Sequence, residues 1–285
     1  LKKDKMIDVK KLNLKIKRLV DSLFVWNYKT AFKWKWLEFS DFRQYDFSDD
    51  AKYIDFLASQ REWKLLIKRF EEERELNVFF VLDLSESMNF WQEKTKLQTL
   101  AEVFYILWLS ATINNDKIWA LIFDENWFNL VKSWKWKNSL LKILNIIEKK
   151  EIKKIDGFDV NKLFSFLNSL PIKNSLMFFL SDKIDEIDDK YLKIQSIKND
   201  FIYINIFDYF ENNLSSDDDI LKLWFWKKVL FVNFRNKKKV SEYRNLRNQK
   251  IKDFKAKLSK YKIDYLLIDD KTNIFAKLLK FFKWA

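Results

Sequence analysis

The chain has no cysteine and no histidine, and only one glycine (Gly157) and one proline (Pro171) in 285 residues. Without cysteine there is no disulfide, no thiolate nucleophile and no cysteine zinc site. Without histidine, the commonest metal ligand and the usual general base near neutral pH are missing as well. Much enzyme chemistry is excluded by these two absences. No apolar run approaches the roughly 18 residues of a membrane span. The opening LKKDKMIDVKKLNLKIKRLV alternates charged with apolar residues and lacks the apolar block of a signal peptide. No membrane span and a cytoplasmic location are therefore expected. The shortage of glycine is harder to understand. An ordinary domain carries about 7% glycine, roughly 20 residues at this length, because a compact fold needs it where the backbone takes φ > 0.

What the chain does have is tryptophan, 13 of them, with 48% hydrophobic and 18% aromatic residues overall. That is enough apolar surface for a substantial core in one large domain or two small ones. The tryptophans stand oddly: AFKWKWLEF, SWKWK and LWFWKK all alternate them with lysine or an aromatic in what read as polar turns. The net charge of +13 invites a nucleic-acid reading. However, the basic residues are mostly lysine, spread along the chain and interleaved with Asp and Glu. Only eight are arginine, the residue preferred for phosphate and base recognition. Nucleic acid is not the expected partner.

Asp8 to Leu23 has apolar residues at helical spacing and predicts an amphipathic helix. LEFSDFRQY and KLLIKRF read as strands on either side of an acidic loop and a short helical turn. NVFFVLDL, KIWALIFD, NSLMFFLSD, DFIYINIFD and IDYLLID are apolar runs bounded by polar residues, the mark of strands buried on both faces. Helices are predicted over Glu93 to Asn114, Asn138 to Lys150, Asp159 to Leu170, Val240 to Tyr261 and Asn273 to Lys283, with KKVLFVNF as an antiparallel edge piece. Strands alternating with helices imply βαβ units and a mostly parallel sheet. Two divisions are expected: residues 1–75, a helix with a β-rich extension packed on the remainder, and residues 76–285, the α/β domain.

The first buried strand ends in Asp83-Leu84-Ser85-Glu86-Ser87. In open α/β sheets, ligands bind beyond the carboxyl ends of the strands. A D-x-S-x-S loop there offers one carboxylate and two hydroxyls, hard oxygen ligands suited to octahedral Mg²⁺. NSLMFFLSD adds Asp182 on the same edge. The competing reading is that Ser85 and Ser87 only cap the helix that follows. Two nearby carboxylates repel unless a cation or a basic partner lies between them.

These residues resemble a known family, the von Willebrand factor A-like proteins of domain of unknown function 58. The resemblance is carried by LEFSDFRQYDFSDDAKYIDFLAS at 37–59, KRFEEERE at 68–75, FVLDLSESM at 80–88, NNDKIWALIF at 114–123 and FFLSD at 178–182. It implies a doubly wound, mostly parallel sheet with an N-terminal helix and a β-rich extension. It also bears on the tryptophans. Where relatives carry glycine, this chain carries Trp26, Trp34, Trp36, Trp63, Trp91, Trp119 and Trp136, and KWKWLEF stands for K/R-G-K/R-G-L-E-F. Some bacterial lineages read UGA as glycine, whereas a mycoplasma-type table writes tryptophan. Trp34, Trp36, Trp134 and Trp136 are then expected at the surface, and Trp119 is expected to crowd a buried strand. A tryptophan-rich loop that binds aromatic or carbohydrate ligands is the alternative.

In relatives with a complete metal-ion-dependent adhesion site, D-x-S-x-S is joined by a Thr and a third-loop Asp. Asp83, Ser85, Ser87 and Asp182 match; Phe158 stands at the Thr position, and Asp159 beside it is suited to capping a helix. The resemblance thus implies a degenerate site with weak Mg²⁺ binding. It implies a non-enzymatic module that works with a MoxR-type AAA+ ATPase in chaperone-like maturation or remodelling of a client protein. The alternative is a Mg²⁺-dependent phosphohydrolase or nuclease using Asp83 and Asp182, although two-metal chemistry wants a denser carboxylate cluster and a general base.

Overall fold

The computed structural model describes residues 37–47, 49–72, 76–89, 95–124, 128–132, 136–148, 159–184, 187–209, 220–225, 228–233 and 237–284. The helix expected over Asp8 to Leu23 lies outside them, as do Trp26, Trp34, Trp36, Trp91, Trp134, Gly157 and Phe158.

The described chain begins with a hairpin-like pair, β1 (Leu37–Gln44) and β2 (Leu66–Glu72), antiparallel in a sheet of their own. The acidic connection between them is built from caps. Asp49 takes both Arg43 nitrogens at 2.6 and 2.7 Å. Asp50 accepts from the Lys52 amide at the start of a 3₁₀ turn. Asp55 accepts from the Leu57 and Ala58 amides and starts α1 (Phe56–Glu62). Short polar side chains satisfy orphan helix donors in this way. DFSDDAKYIDF is therefore acidic because its turns need acceptors.

The main sheet has six strands in the order β10-β7-β6-β3-β4-β5. β3 (Asn77–Asp83) runs parallel to β4 (Lys117–Phe123) on one side and to β6 (Ser175–Ser181) on the other. β5 (Phe128–Lys132) closes one edge antiparallel to β4. β7 (Asp200–Phe207) and β10 (Asp264–Asp269) continue the parallel set on the far side. NVFFVLDL and NSLMFFLSD are thus neighbouring inner strands.

The helices divide between the two faces of this sheet. Val78, Phe80 and Leu82 of β3 point to one face, where α2 (Lys96–Ile113), α3 (Trp136–Glu148) and α7 (Ile274–Trp284) bury Trp108, Ile143 and Leu278. Phe79 and Val81 point to the other, under α4 (Val160–Ser169), α5 (Asp189–Lys198) and α6 (Lys237–Lys260), with Phe164, Leu192 and Phe254. Burying both faces explains why the strands read as continuous apolar runs. α2 is apolar nearly all round because it lies in the core, packed on the sheet and on its neighbours α3 and α7.

The expectation for KKVLFVNF needs correction. It forms β9 (Lys228–Asn233), which pairs antiparallel with β8 (Ile220–Phe225) in a separate two-stranded sheet. The antiparallel edge of the main sheet is β5. Trp119 needs correction too: it sits in β4 half-buried, not enclosed. Trp136 is the first residue of α3, and its side chain lies outside what the structure describes.

Candidate functional site at the carboxyl edge

The chain leaves β3 to one side for β4 and returns on the other side as β6, so strand order reverses between β3 and β6. Crevices at such switch points, beyond the strand ends, are where open α/β sheets bind ligands. Asp83 ends β3, and Asp182 follows the last residue of β6. The structure brings all four predicted residues into one hydrogen-bonded network there.

Its inner half is closed. Asp83 Oδ1 accepts from the Ser85 amide at 2.8 Å, and Asp83 Oδ2 accepts from Ser181 Oγ at 2.5 Å. Ser181 Oγ in turn accepts from the Lys183 amide at 3.0 Å. Asp83 and Ser181 are fully enclosed, and Ser85 is 1% exposed. Asp83 is therefore a buried bracket tying the β3 loop to the β6 loop. It does not present its carboxylate to solvent, as a ligand offered by a D-x-S-x-S loop would.

The outer half holds the charge. Ser87 Oγ donates to Asp182 Oδ1 at 2.8 Å, so its hydrogen is committed and Ser85 Oγ donates to Ser87 Oγ at 3.1 Å. Asp182 Oδ2 receives the Lys96 ammonium at 2.7 Å. Burial works against ionisation of Asp182, yet the charges of Lys96 and Lys183 and the hydrogen bonds from Lys96 and Ser87 outweigh it. Its carboxyl is held below the ordinary carboxylate range. Beneath the network, burial pushes the Tyr203 hydroxyl well above its usual value, with the Asp83 charge adding to the effect. That hydroxyl stays neutral and donates to the Lys183 carbonyl.

Lys96 and Ser181 are the participants that sequence reasoning missed. Lys96 is the first residue of α2, directly after Thr95, whose capping box with Gln98 marks the helix start. That Thr-x-x-Gln pattern was the readable signal for where Lys96 sits. Asn205, aligned with Ser181 on β7, is also buried, and its side-chain amide makes no hydrogen bond among the described residues. Asp159 takes the capping role suited to it, accepting from the Asn161 amide at 2.9 Å to start α4.

Whether these residues fit the Mg²⁺ that the family resemblance implies turns on charge. The separations of 3.1 Å (Ser85–Ser87) and 2.8 Å (Ser87–Asp182) approach the edge of an octahedron with bonds of about 2.0–2.1 Å. However, all four carboxylate oxygens of Asp83 and Asp182 already accept hydrogen bonds, one of them from an ammonium. Among the described residues, no group of three or more Asp or Glu side chains gathers here or elsewhere. With Lys96 in place, the residues do not fit a resident dication.

A search of the solved structures finds similarity to the crystal structure of an aerotolerance-related membrane protein from Bacteroides fragilis NCTC 9343 carrying multiple mutations to serines. The identity is 12% and the TM-score 0.43, covering 73% of this chain and 97% of that one. Likeness at that level carries no argument here. No curated protein matches the sequence. No helix among the described residues is long and apolar enough to cross a membrane. The sequence profile of the protein of unknown function DUF58 matches residues 41–221, well over half of the chain and including Asp83, Ser85, Ser87, Lys96 and Asp182. The chain belongs to the DUF58 family.

Proposed function

We propose that this chain is a non-enzymatic protein-interaction module with a von Willebrand factor A-like fold, and that the crevice between β3 and β6 is its docking surface. The partner is a MoxR-type AAA+ ATPase, acting in the cytoplasm in chaperone-like maturation or remodelling of other proteins. The observation that carries this reading is the fully satisfied network at the topological switch point. It uses Ser85, Ser87, Asp83 and Asp182 to hold two loops in fixed register, with Glu86, Ser87 and Lys183 half-exposed at its rim. A docking surface needs that rigidity.

The alternative, a Mg²⁺-dependent phosphohydrolase or nuclease, needs Asp83 and Asp182 to face substrate or metal. Asp83 has no exposed surface, and both of its oxygens are engaged. A general base must reach its proton within hydrogen-bond distance, directly or through one water, and a sealed carboxylate does not. The two readings separate in one experiment. The purified chain is assayed with Mg²⁺ against a generic phosphodiester and, in parallel, for co-elution with the ATPase. Hydrolysis abolished by Asp182→Asn would overturn the interaction reading; co-elution without hydrolysis supports it.

The same protein carries a second, independent reading, that UGA codons translated as glycine are written here as tryptophan. The support is backbone geometry. Trp63 closes α1 at φ 53° and ψ 31°, the left-handed region, with 91% of its surface exposed. Glycine is the usual residue at that place because a Cβ is penalised there.

A further inference from the structure

We infer that Lys96 is the resident cation of this crevice, standing where the family resemblance leads one to expect Mg²⁺, so that the site is complete without metal. For the consequence to docking, the inference rests on the crevice being the interface. The charge argument itself needs no partner.

Three features of Lys96 are unfavourable taken singly. Its side chain is 2% exposed, so the ammonium has lost its water. It occupies the first position of α2, an 18-residue helix whose amino end carries partial positive charge. The helix residues that follow it, Leu97, Leu100 and Ala101, are buried in the apolar core. Lysine is almost never enclosed in this way unless paired. The pair is there: Nζ meets Asp182 Oδ2 at 2.7 Å, and Asp182 Oδ1 is held by Ser87 at 2.8 Å. Breaking one side of a buried pair leaves the other charge uncompensated, so each residue fixes the other.

The consequence for metal follows from spacing and charge together. Ser85 Oγ and Ser87 Oγ lie 3.1 Å apart, and Ser87 Oγ and Asp182 Oδ1 2.8 Å apart, so oxygens that a cation could use are already gathered. What opposes a dication is the unit positive charge bonded to the same carboxylate, reinforced by Lys183, whose charge also reaches Asp182. Removing the ammonium while keeping the side-chain volume should therefore convert the crevice into a cation site. Keeping it should leave the crevice indifferent to divalent ions.

The test titrates the 285-residue chain with Mn²⁺, read by electron paramagnetic resonance of the free ion, and compares melting temperatures in MgCl₂ and in EDTA. The wild-type chain is expected to show no saturable Mn²⁺ binding and the same melting temperature in both. Lys96→Met is expected to bind Mn²⁺ saturably, at least about tenfold more tightly than the limit the wild-type titration sets, a conservative share of what a unit charge at contact distance supplies. Its melting temperature should rise with Mg²⁺, and Asp182→Asn on that background should abolish both effects. A folded Lys96→Met without saturable binding overturns the inference. Saturable Mn²⁺ binding by the wild type that Lys96→Met leaves unchanged overturns the inference. If Lys96→Met does not fold with or without Mn²⁺, the wild-type titration decides: no saturable binding upholds the inference and saturable binding overturns it. None of these readouts involves the ATPase, so failure here and failure of the docking reading are told apart.

Discussion

Asp83→Ala should destabilise the protein severely, although the D-x-S-x-S pattern reads as a surface ligand loop. Asp83 is fully buried and accepts from the Ser85 amide and from Ser181 Oγ. Truncation strands a buried N–H in a loop and a buried hydroxyl on the neighbouring strand. Each unsatisfied donor costs about 1–3 kcal/mol, with hydrogen bonds to charged groups toward the upper end. The small cavity adds to this, so the total is about 3–5 kcal/mol. Against a domain stability of about 5–15 kcal/mol, that is a large fraction. Asp83→Asn keeps the shape and the acceptor for Ser85, and Ser181 Oγ can turn to accept from the new amide; its cost should be about 1–2 kcal/mol. The assay is urea unfolding followed by far-ultraviolet circular dichroism, comparing midpoints at constant slope. A midpoint for Asp83→Ala within about 0.5 kcal/mol of wild type, the range of ordinary surface changes, would refute the bracket role.

Asp182 supplies a pH signature. Its carboxyl is held below the ordinary value, so the ion pair contributes stability above the unfolded carboxylate pKa of about 3.9 and loses it as pH falls through the lower folded value. Acid unfolding of the wild type should therefore steepen below about pH 4, and that component should vanish in a Lys96→Met, Asp182→Leu double variant. Asp189 behaves alike at the surface: hydrogen bonds from Tyr261 and then Lys257 lower its pKa to about 2. The contact it makes between α5 and α6 should persist to about pH 2 and weaken in high salt, read as a titration of the Asp189 carboxyl by nuclear magnetic resonance. Trp63→Gly should stabilise the chain by about 1–2 kcal/mol, the usual penalty for a Cβ in the left-handed region; a lower melting temperature in the variant would count against it. Peptide mass spectrometry of protein from the native host should show glycine at positions 34, 36 and 63, and intact tryptophan at all three would end the recoding idea.

Much of the sheet was legible because burial on both faces writes itself as uninterrupted apolar residues, as in NVFFVLDL, SLMFFLS and DFIYINIF. What escaped was short or weakly patterned. β5 is only the five residues FNLVK at the edge, and α5 buries just Leu192 and Gln195 in ten residues. β8 and β9 pair with each other, and that pairing depends on a partner strand that no single segment announces. The site was half-legible. Strand ends put Asp83 and Asp182 on one edge. The inward turn of Asp83 follows from the Ser85 amide and Ser181 hydroxyl closing over it, which no spacing encodes. Lys96 was invisible for a plainer reason. It is one of 54 basic residues, and its partner is 86 residues away until β6 docks beside β3.

Whether the crevice is a docking surface is decided by a binding measurement at its rim. Glu86 and Lys183 flank the crevice half-exposed, outside the buried bracket. Glu86→Arg should leave the melting temperature near wild type, whereas Lys183→Glu, which reverses a charge that supports ionised Asp182, should lower it modestly while the chain stays folded. Biolayer interferometry against the MoxR-type ATPase proposed as the partner should show at least about tenfold weaker binding for each, the equivalent of about 1.4 kcal/mol. Wild-type affinity should be the same in Mg²⁺ and in EDTA, provided nucleotide is omitted. Unchanged affinity in both folded variants, or no association of the wild type with the ATPase, would contradict the account.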